Sequence, residues 1–170
     1  TCAGRKDASL EIKKKSQSKN INFIKFAIIF CGVFFLISCT AIRGDSAPEG
    51  AKSFTLSDIS GNAVNMDFFF GKKIVLLNFF ATWCPPCNAE VPALKKLFDK
   101  YKDKVAIYAI DAGESRAKVS SFVTKKAINY PVLLDEKNLV LGLYSIVGIP
   151  TVVVIGLDKK IVYYGHDFEE

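Results

Sequence analysis

The run Ile74-Val75-Leu76-Leu77-Asn78-Phe79-Phe80-Ala81-Thr82-Trp83-Cys84-Pro85-Pro86-Cys87 lies at the centre of this chain's organisation. Its first half is charge-free and rich in β-branched and aromatic residues, as a strand buried on both faces requires. Its end places two thiols three residues apart. Residues 89–101 then carry Val91, Leu94, Leu97 and Phe98 at helical spacing, with Lys95, Lys96, Asp99 and Lys100 between them. A buried strand thus runs into a tight turn, with the first thiol at the start of a helix. Pro92 falls inside that helix and is expected to kink it.

This arrangement suits a redox-active dithiol. A thiol attacks a disulfide only as thiolate, so its pKa must approach ambient pH. A helix N-terminus supplies unpaired N–H groups and a partial positive charge. Cys84 is expected there. Pro85 and Pro86 lack N–H groups and suit a helix opening better than its interior. Cys87, one turn later, is expected beneath Cys84 and more buried. Cys84 is therefore read as the attacking thiol and Cys87 as the resolving one, with Trp83 shielding the pair. A zinc site needs further ligands, and His166 is the only histidine in the chain. A static disulfide across so short a loop gains little from loop closure.

Working outward, Phe54-Thr55-Leu56 and Ala63-Val64-Asn65-Met66 flank Ser60-Gly61-Asn62 as a small hairpin. Residues 105–110 form a second buried strand, ended by Asp111-Ala112-Gly113. Ser115 is a plausible cap for a helix through Lys126, with Val119, Phe122 and Val123 on one face. Tyr130-Pro131-Val132-Leu133-Leu134 reads as a short extended piece and residues 138–144 as a brief helix. Residues 151–155 and 161–164 read as strands joined by Gly156-Leu157-Asp158-Lys159-Lys160. Helices alternate with strands and a hairpin closes the series. The expected class is α/β: a mixed central sheet with helices on both faces.

The chain has 170 residues, 50% of them hydrophobic, and a formal charge of +6. That composition supports a real core and argues against disorder. The charge is unevenly placed: residues 1–38 hold seven Lys/Arg against two Asp/Glu, and the remainder holds sixteen against fifteen. Nothing in the nearly neutral remainder suggests a nucleic-acid surface.

The basic excess belongs to an N-terminal address. Lys13, Lys14, Lys15, Lys19 and Lys25 precede an apolar stretch over residues 26–38, the pattern of a secretory signal. The uncharged span 26–42 has 17 residues, at the short edge of what crosses a bilayer, so an uncleaved membrane anchor is the alternative. An ordinary cleaved signal is a third. Leu36-Ile37-Ser38-Cys39 resembles the bacterial lipoprotein cleavage box, which implies lipidation of Cys39. All three readings place the domain outside the cytoplasm, with the positive flank inside. The expected organisation is a signal segment over 1–38, a tether over 39–52 and a domain over 53–170. The chain begins at Thr1 and its only Met is Met66, so residues 1–19 are read as a fragment or a misplaced start. Of five cysteines, Cys2 and Cys31 fall in the leader and Cys39 would carry lipid on the lipoprotein reading, leaving Cys84 and Cys87.

Trp83-Cys84-Pro85-Pro86-Cys87, then Pro92, then Gly148-Ile149-Pro150-Thr151 together resemble the thioredoxin fold. The resemblance implies a three-layer architecture, a cis Pro150 lying against the active-site disulfide, and an Ile149 backbone free to pair with a substrate strand. The chain is more closely similar to the TlpA/ResA-like branch of membrane-tethered extracytoplasmic thioredoxins, from about Phe54 to Tyr164. The leading hairpin, the insert over residues 115–134 and a polar pair carry that likeness. Thioredoxins hold a buried Asp six residues before the first active Cys; Asn78 stands there and cannot exchange a proton. Glu90 falls three residues after Cys87, where this branch carries a Glu. A partly buried carboxylate there is expected to have a raised pKa and to relay a proton to or from Cys87. Otherwise Glu90 is a solvated helix-surface side chain. The family often ends in a further helix, whereas this sequence stops at Asp167-Phe168-Glu169-Glu170, so one sheet face is expected to be thinly covered. His166 is read as an exposed terminal residue without a role.

The resemblance implies a thiol–disulfide oxidoreductase with no cofactor beyond the Cys84/Cys87 dithiol. Its expected partners are the thiols and disulfides of exported proteins, for example apocytochrome c, a membrane dithiol electron donor, and the membrane through the lipid anchor. Two rivals have specific requirements. A peroxiredoxin-like thiol peroxidase places Thr three residues before the peroxidatic Cys, where this chain has Ala81. A copper-delivery module separates its cysteines by three residues and adds a distal His.

Overall fold

The computed structural model describes residues 50–166. The leader, Cys39, most of the tether and residues 167–170 lie outside them. Seven strands form one sheet in the order β2-β1-β5-β4-β3-β6-β7. They are β1 (Thr55–Asp58), β2 (Ala63–Asn65), β3 (Ile74–Phe80), β4 (Val105–Ala112), β5 (Val132–Asp135), β6 (Thr151–Ile155) and β7 (Ile161–Gly165). The helices are α1 (Pro85–Tyr101), α2 (Arg116–Lys126) and the short α3 (Leu139–Leu143), with a 3-10 turn at Met66–Phe68.

β3, β4 and β5 run parallel. β6 and β7 add antiparallel on one side, and the β1–β2 hairpin joins antiparallel to β5 on the other. β3 is central because six of its seven residues are apolar and it can be buried on both faces. Alternation along it separates two cores. Leu76 and Phe80 face α1 and α2, against Val91, Leu94, Val119 and Phe122. Val75, Leu77 and Phe79 face the opposite way, against Met66, Val140 and Tyr144. Helices thus cover both faces of a mixed sheet, as the sequence implies.

β4 runs two residues beyond the expected 105–110. Asp111 and Ala112 continue the ladder opposite Leu134 and Asp135, so the polar side chain is accepted to keep the backbone paired. Ser115 stands at the N-cap of α2 but makes no side-chain cap bond; its carbonyl receives Lys118 and Val119 instead. α1 runs through Pro92 as one helix. At the N-terminal entry, Gly50 bridges Lys160, and the Tyr144 hydroxyl accepts from Lys52 N–H at 3.0 Å while donating to Lys52 C=O at 2.9 Å. Among the described residues no helix is long and apolar enough to cross a membrane.

Candidate active site

β3 ends at the buried Ala81, whose carbonyl receives the Cys84 N–H at 3.2 Å and closes a tight turn over Thr82 and Trp83. Cys84 then has extended backbone angles at the N-cap of α1, with Pro85 and Pro86 in the first two helical positions. First-turn amides have no partner within a helix, so proline costs nothing there. The first amide left is that of Cys87. It points at the Cys84 sulfur, 3.2 Å away, as an N-cap side chain receives the third helical N–H. The sequence Cys-Pro-Pro-Cys thereby removes two donors and aims the remaining one at the Cys84 sulfur. Asn88 braces the turn: its side-chain amide donates to Thr82 C=O at 3.1 Å and Cys84 C=O at 2.8 Å.

Cys84 and Cys87 form a disulfide, with Cα atoms 5.3 Å apart. Both residues are 3% exposed, so burial does not rank them as the sequence reading expects. The reason is the loop before β6. The Ile149–Pro150 peptide is cis, and the Ile149 carbonyl oxygen lies 3.9 Å from Cys84 Sγ. Pro150 is buried and Ile149 half-buried, whereas Pro85 and Pro86 are exposed and Trp83 is 64% exposed.

Asn78 and Glu90, singled out separately in the sequence, meet. The Asn78 side-chain amide, 1% exposed, donates to Glu90 Oε2 at 3.2 Å. Glu90 is half-buried. Its carboxylate also reaches Tyr130 electrostatically, whose hydroxyl is pushed up by burial first and by Glu90 second.

Three further groups have contacts that the sequence reading did not foresee, among them His166, which is exposed as expected. Glu114, after β4, receives both the backbone N–H and the hydroxyl of Thr82, and pairs with Lys118 of α2. Burial raises its carboxyl, but Lys118 and the two Thr82 donors outweigh that and hold it below its ordinary value. Asp111 is fully buried beside it. His166 touches the Pro150 loop: its Nδ1 lies 2.8 Å from Pro150 C=O and 3.2 Å from Thr151 Oγ1. The Thr151 hydroxyl donates to Gly148 C=O at 2.6 Å, so both atoms facing Nδ1 are acceptors and Nδ1 carries the proton. The one available signal was Gly165-His166 ending a strand that neighbours β6.

The peroxidatic arrangement does not form around Cys84. Ala81 is buried three residues before it, and Thr82 is committed to Glu114. Among the described residues no group of three or more His, Cys, Asp or Glu is placed to hold a metal ion.

Residues 44–164 match the AhpC/TSA family. The chain is 38% identical over 152 residues to a thiol-disulfide oxidoreductase ResA of Bacillus cereus, spanning 81% of this chain and 87% of that protein. It is similar to the crystal structure of a secreted Mycobacterium tuberculosis disulfide oxidoreductase homologous to E. coli DsbE: TM-score 0.62, 26% identity, 67% of this chain and 83% of that one. It is also similar to the exposed lipoprotein thioredoxin of Streptococcus pneumoniae: TM-score 0.63, 25% identity, 70% of this chain and 92% of that one. With a dithiol at a helix start, a cis proline against it and this sheet order, the chain belongs to the AhpC/TSA family and, within it, to the ResA-like thiol–disulfide oxidoreductases of thioredoxin fold.

Proposed function

We propose that this oxidoreductase acts outside the cytoplasm as a reductant of exported proteins, with Cys84 attacking and Cys87 resolving. The Cys84 thiolate attacks a substrate disulfide, forms a mixed disulfide and releases one substrate thiolate. Cys87 then attacks Cys84 Sγ, closes the internal disulfide and releases the second. Two electrons leave the enzyme, and the protons of the two enzyme thiols end on the two substrate sulfurs. A membrane dithiol resupplies the electrons by the reverse exchange. Glu90 takes the Cys87 proton and passes it on, held for that task by Asn78. Ile149 and Pro150 receive the substrate strand, and Trp83, Pro85 and Pro86 form the wall around Cys84. The observation that carries this reading is the Cys87 amide aimed at Cys84 Sγ: it stabilises negative charge on the one sulfur that also faces the Ile149 carbonyl.

Cys39 is the lipid attachment site, following a signal over 1–38 and preceding a tether to residue 52. The Leu36–Cys39 box supports this, as does the likeness to a protein described as an exposed lipoprotein. Apocytochrome c thiols, oxidised before haem attachment, are the proposed substrate. The test is a Cys87→Ser trap in the native envelope. Mixed disulfides on Cys84 with apocytochromes and a membrane dithiol carrier are the expected capture. A capture consisting solely of newly secreted multi-disulfide proteins would make the enzyme an oxidase or isomerase.

A further inference from the structure

Asp111 is the buried acid that the dithiol chemistry does not use. It stands in β4 opposite Phe80 of β3 and Leu134 of β5, on the sheet face that carries Cys84, Cys87, α1 and α2. Its exposure is 0%. Oδ2 receives the Glu114 N–H at 2.8 Å, but Oδ1 has no hydrogen-bond partner. A buried carboxylate oxygen with nothing to accept is costly, and a proton on it removes the charge and turns it into a donor. The nearest acceptor is Glu114, whose N–H already meets Oδ2 at 2.8 Å and whose carboxyl acts electrostatically on that of Asp111. That same Glu114 holds the Thr82 backbone, two residues before Cys84.

We propose that Asp111 is a positioning residue for the redox reaction: protonated, it donates to Glu114 and fixes the Thr82 clamp, and ionised, it withdraws that bond and loosens the turn carrying Cys84. The inference rests on Cys84 being the reacting sulfur. Burial first, and the Glu114 carboxylate after it, raise the Asp111 carboxyl to about 7, against the Glu114 N–H and Lys118, which pull it down. The switch therefore operates near neutrality. The charged groups acting on it are Glu114 from its own loop and Lys118 from α2. Glu90 of α1 is held by Asn78, Asp135 of β5 by amides at the start of α3, and the cysteines do not titrate while joined.

The dithiol is kept oxidised for the first test, so that no thiol titrates. In the full chain with carbon-13 in its aspartates, the Asp111 carboxyl and the Thr82 amide are followed by NMR from about pH 5.5 to 8.5, a window that brackets an acid raised to near neutrality. The two signals are expected to move with a common midpoint. In Asp111→Asn, whose amide donates to Glu114 at every pH, the Thr82 amide should stay at its low-pH position. The second test is the rate of disulfide reduction per molar thiolate of a small dithiol. Wild type and variant should agree at the acid end, and wild type should be slower by about three- to tenfold at the alkaline end, the scale of a sub-ångström misplacement. An Asp111 carboxyl ionised throughout, a Thr82 amide indifferent to it, or parallel rate profiles would overturn the proposal. Failure of the Cys84 assignment would show separately, as a mixed disulfide trapped on Cys87 in Cys84→Ser.

Discussion

Asp135 and Asp111 lie at the C-terminal ends of neighbouring parallel strands, on opposite faces of one sheet, and they have different partners. Each is at most 1% exposed. Asp135, on the side of Tyr144, receives three amides at the start of α3: Leu139 at 2.9 Å, Val140 at 2.8 Å and Leu141 at 2.9 Å. Asp111, on the dithiol side, receives one amide and keeps an empty oxygen. Burial is equal, so burial does not set their character; the number of donors does. The far face uses its aspartate to start a helix. The dithiol face leaves its aspartate incompletely satisfied beside the turn that carries Cys84.

The difference can be broken from either side. The largest effect is expected at Asp135→Ala, which strips three amides of their acceptor and should destabilise the fold by about 3–5 kcal/mol. A urea titration followed by circular dichroism reads this, and a loss below about 1 kcal/mol would mean that solvent replaces the carboxylate.

Next comes the pH dependence of stability at Asp111. The folded chain holds this proton up to about 7, whereas the unfolded chain releases it near the ordinary value of 3.8. The folded state therefore binds the extra proton between those values, and stability falls as pH rises through that window, by about 4 kcal/mol. Glu114 works with the opposite sign. Its value is held down, so its contribution is lost only as pH falls through and below the ordinary carboxylate range. Asp111→Asn should flatten the neutral limb and leave the acid limb in place. Denaturant midpoints at several pH values separate the two.

The smallest effect is expected at Glu90→Gln, which leaves a neutral partner for Asn78 but no base. Disulfide exchange should slow by about tenfold, and its pH dependence between about 6 and 9 should change shape. Stopped-flow kinetics giving identical profiles would remove Glu90 from the proton relay.

The legible parts of this molecule are those with a local period. β3 shows as an unbroken apolar run, α1 as Val91, Leu94, Leu97 and Phe98 on one stripe, and the β1–β2 hairpin as Ser60-Gly61-Asn62 between short strands. The cysteine pair was legible because its spacing equals one helical turn. Illegible were contacts made by tertiary closure. Thr82 and Glu114 are 32 residues apart, and no spacing rule connects them. Asp111 looked like a strand end because a charged residue before glycine usually is one; the ladder to β5 overrides that reading. Cys84 was expected to be more open than Cys87 because a helix start usually is. The loop at Ile149, 65 residues away, covers it.

The clasp between Tyr144 and Lys52 has a mechanical meaning. Tyr144 grips both polar atoms of the Lys52 peptide backbone, and its ring packs 6.0 Å from that of Phe79 and 6.0 Å from that of Phe54. Just before it, Ala51 N–H is fastened to Lys159 C=O at 2.8 Å. Tension arriving along the chain through residue 50 meets these fastenings before it reaches β1. It is borne on the sheet face opposite Cys84 and Cys87. Strain relief is thus built into the entry of the chain, and the turn that carries Cys84 lies off the line of force.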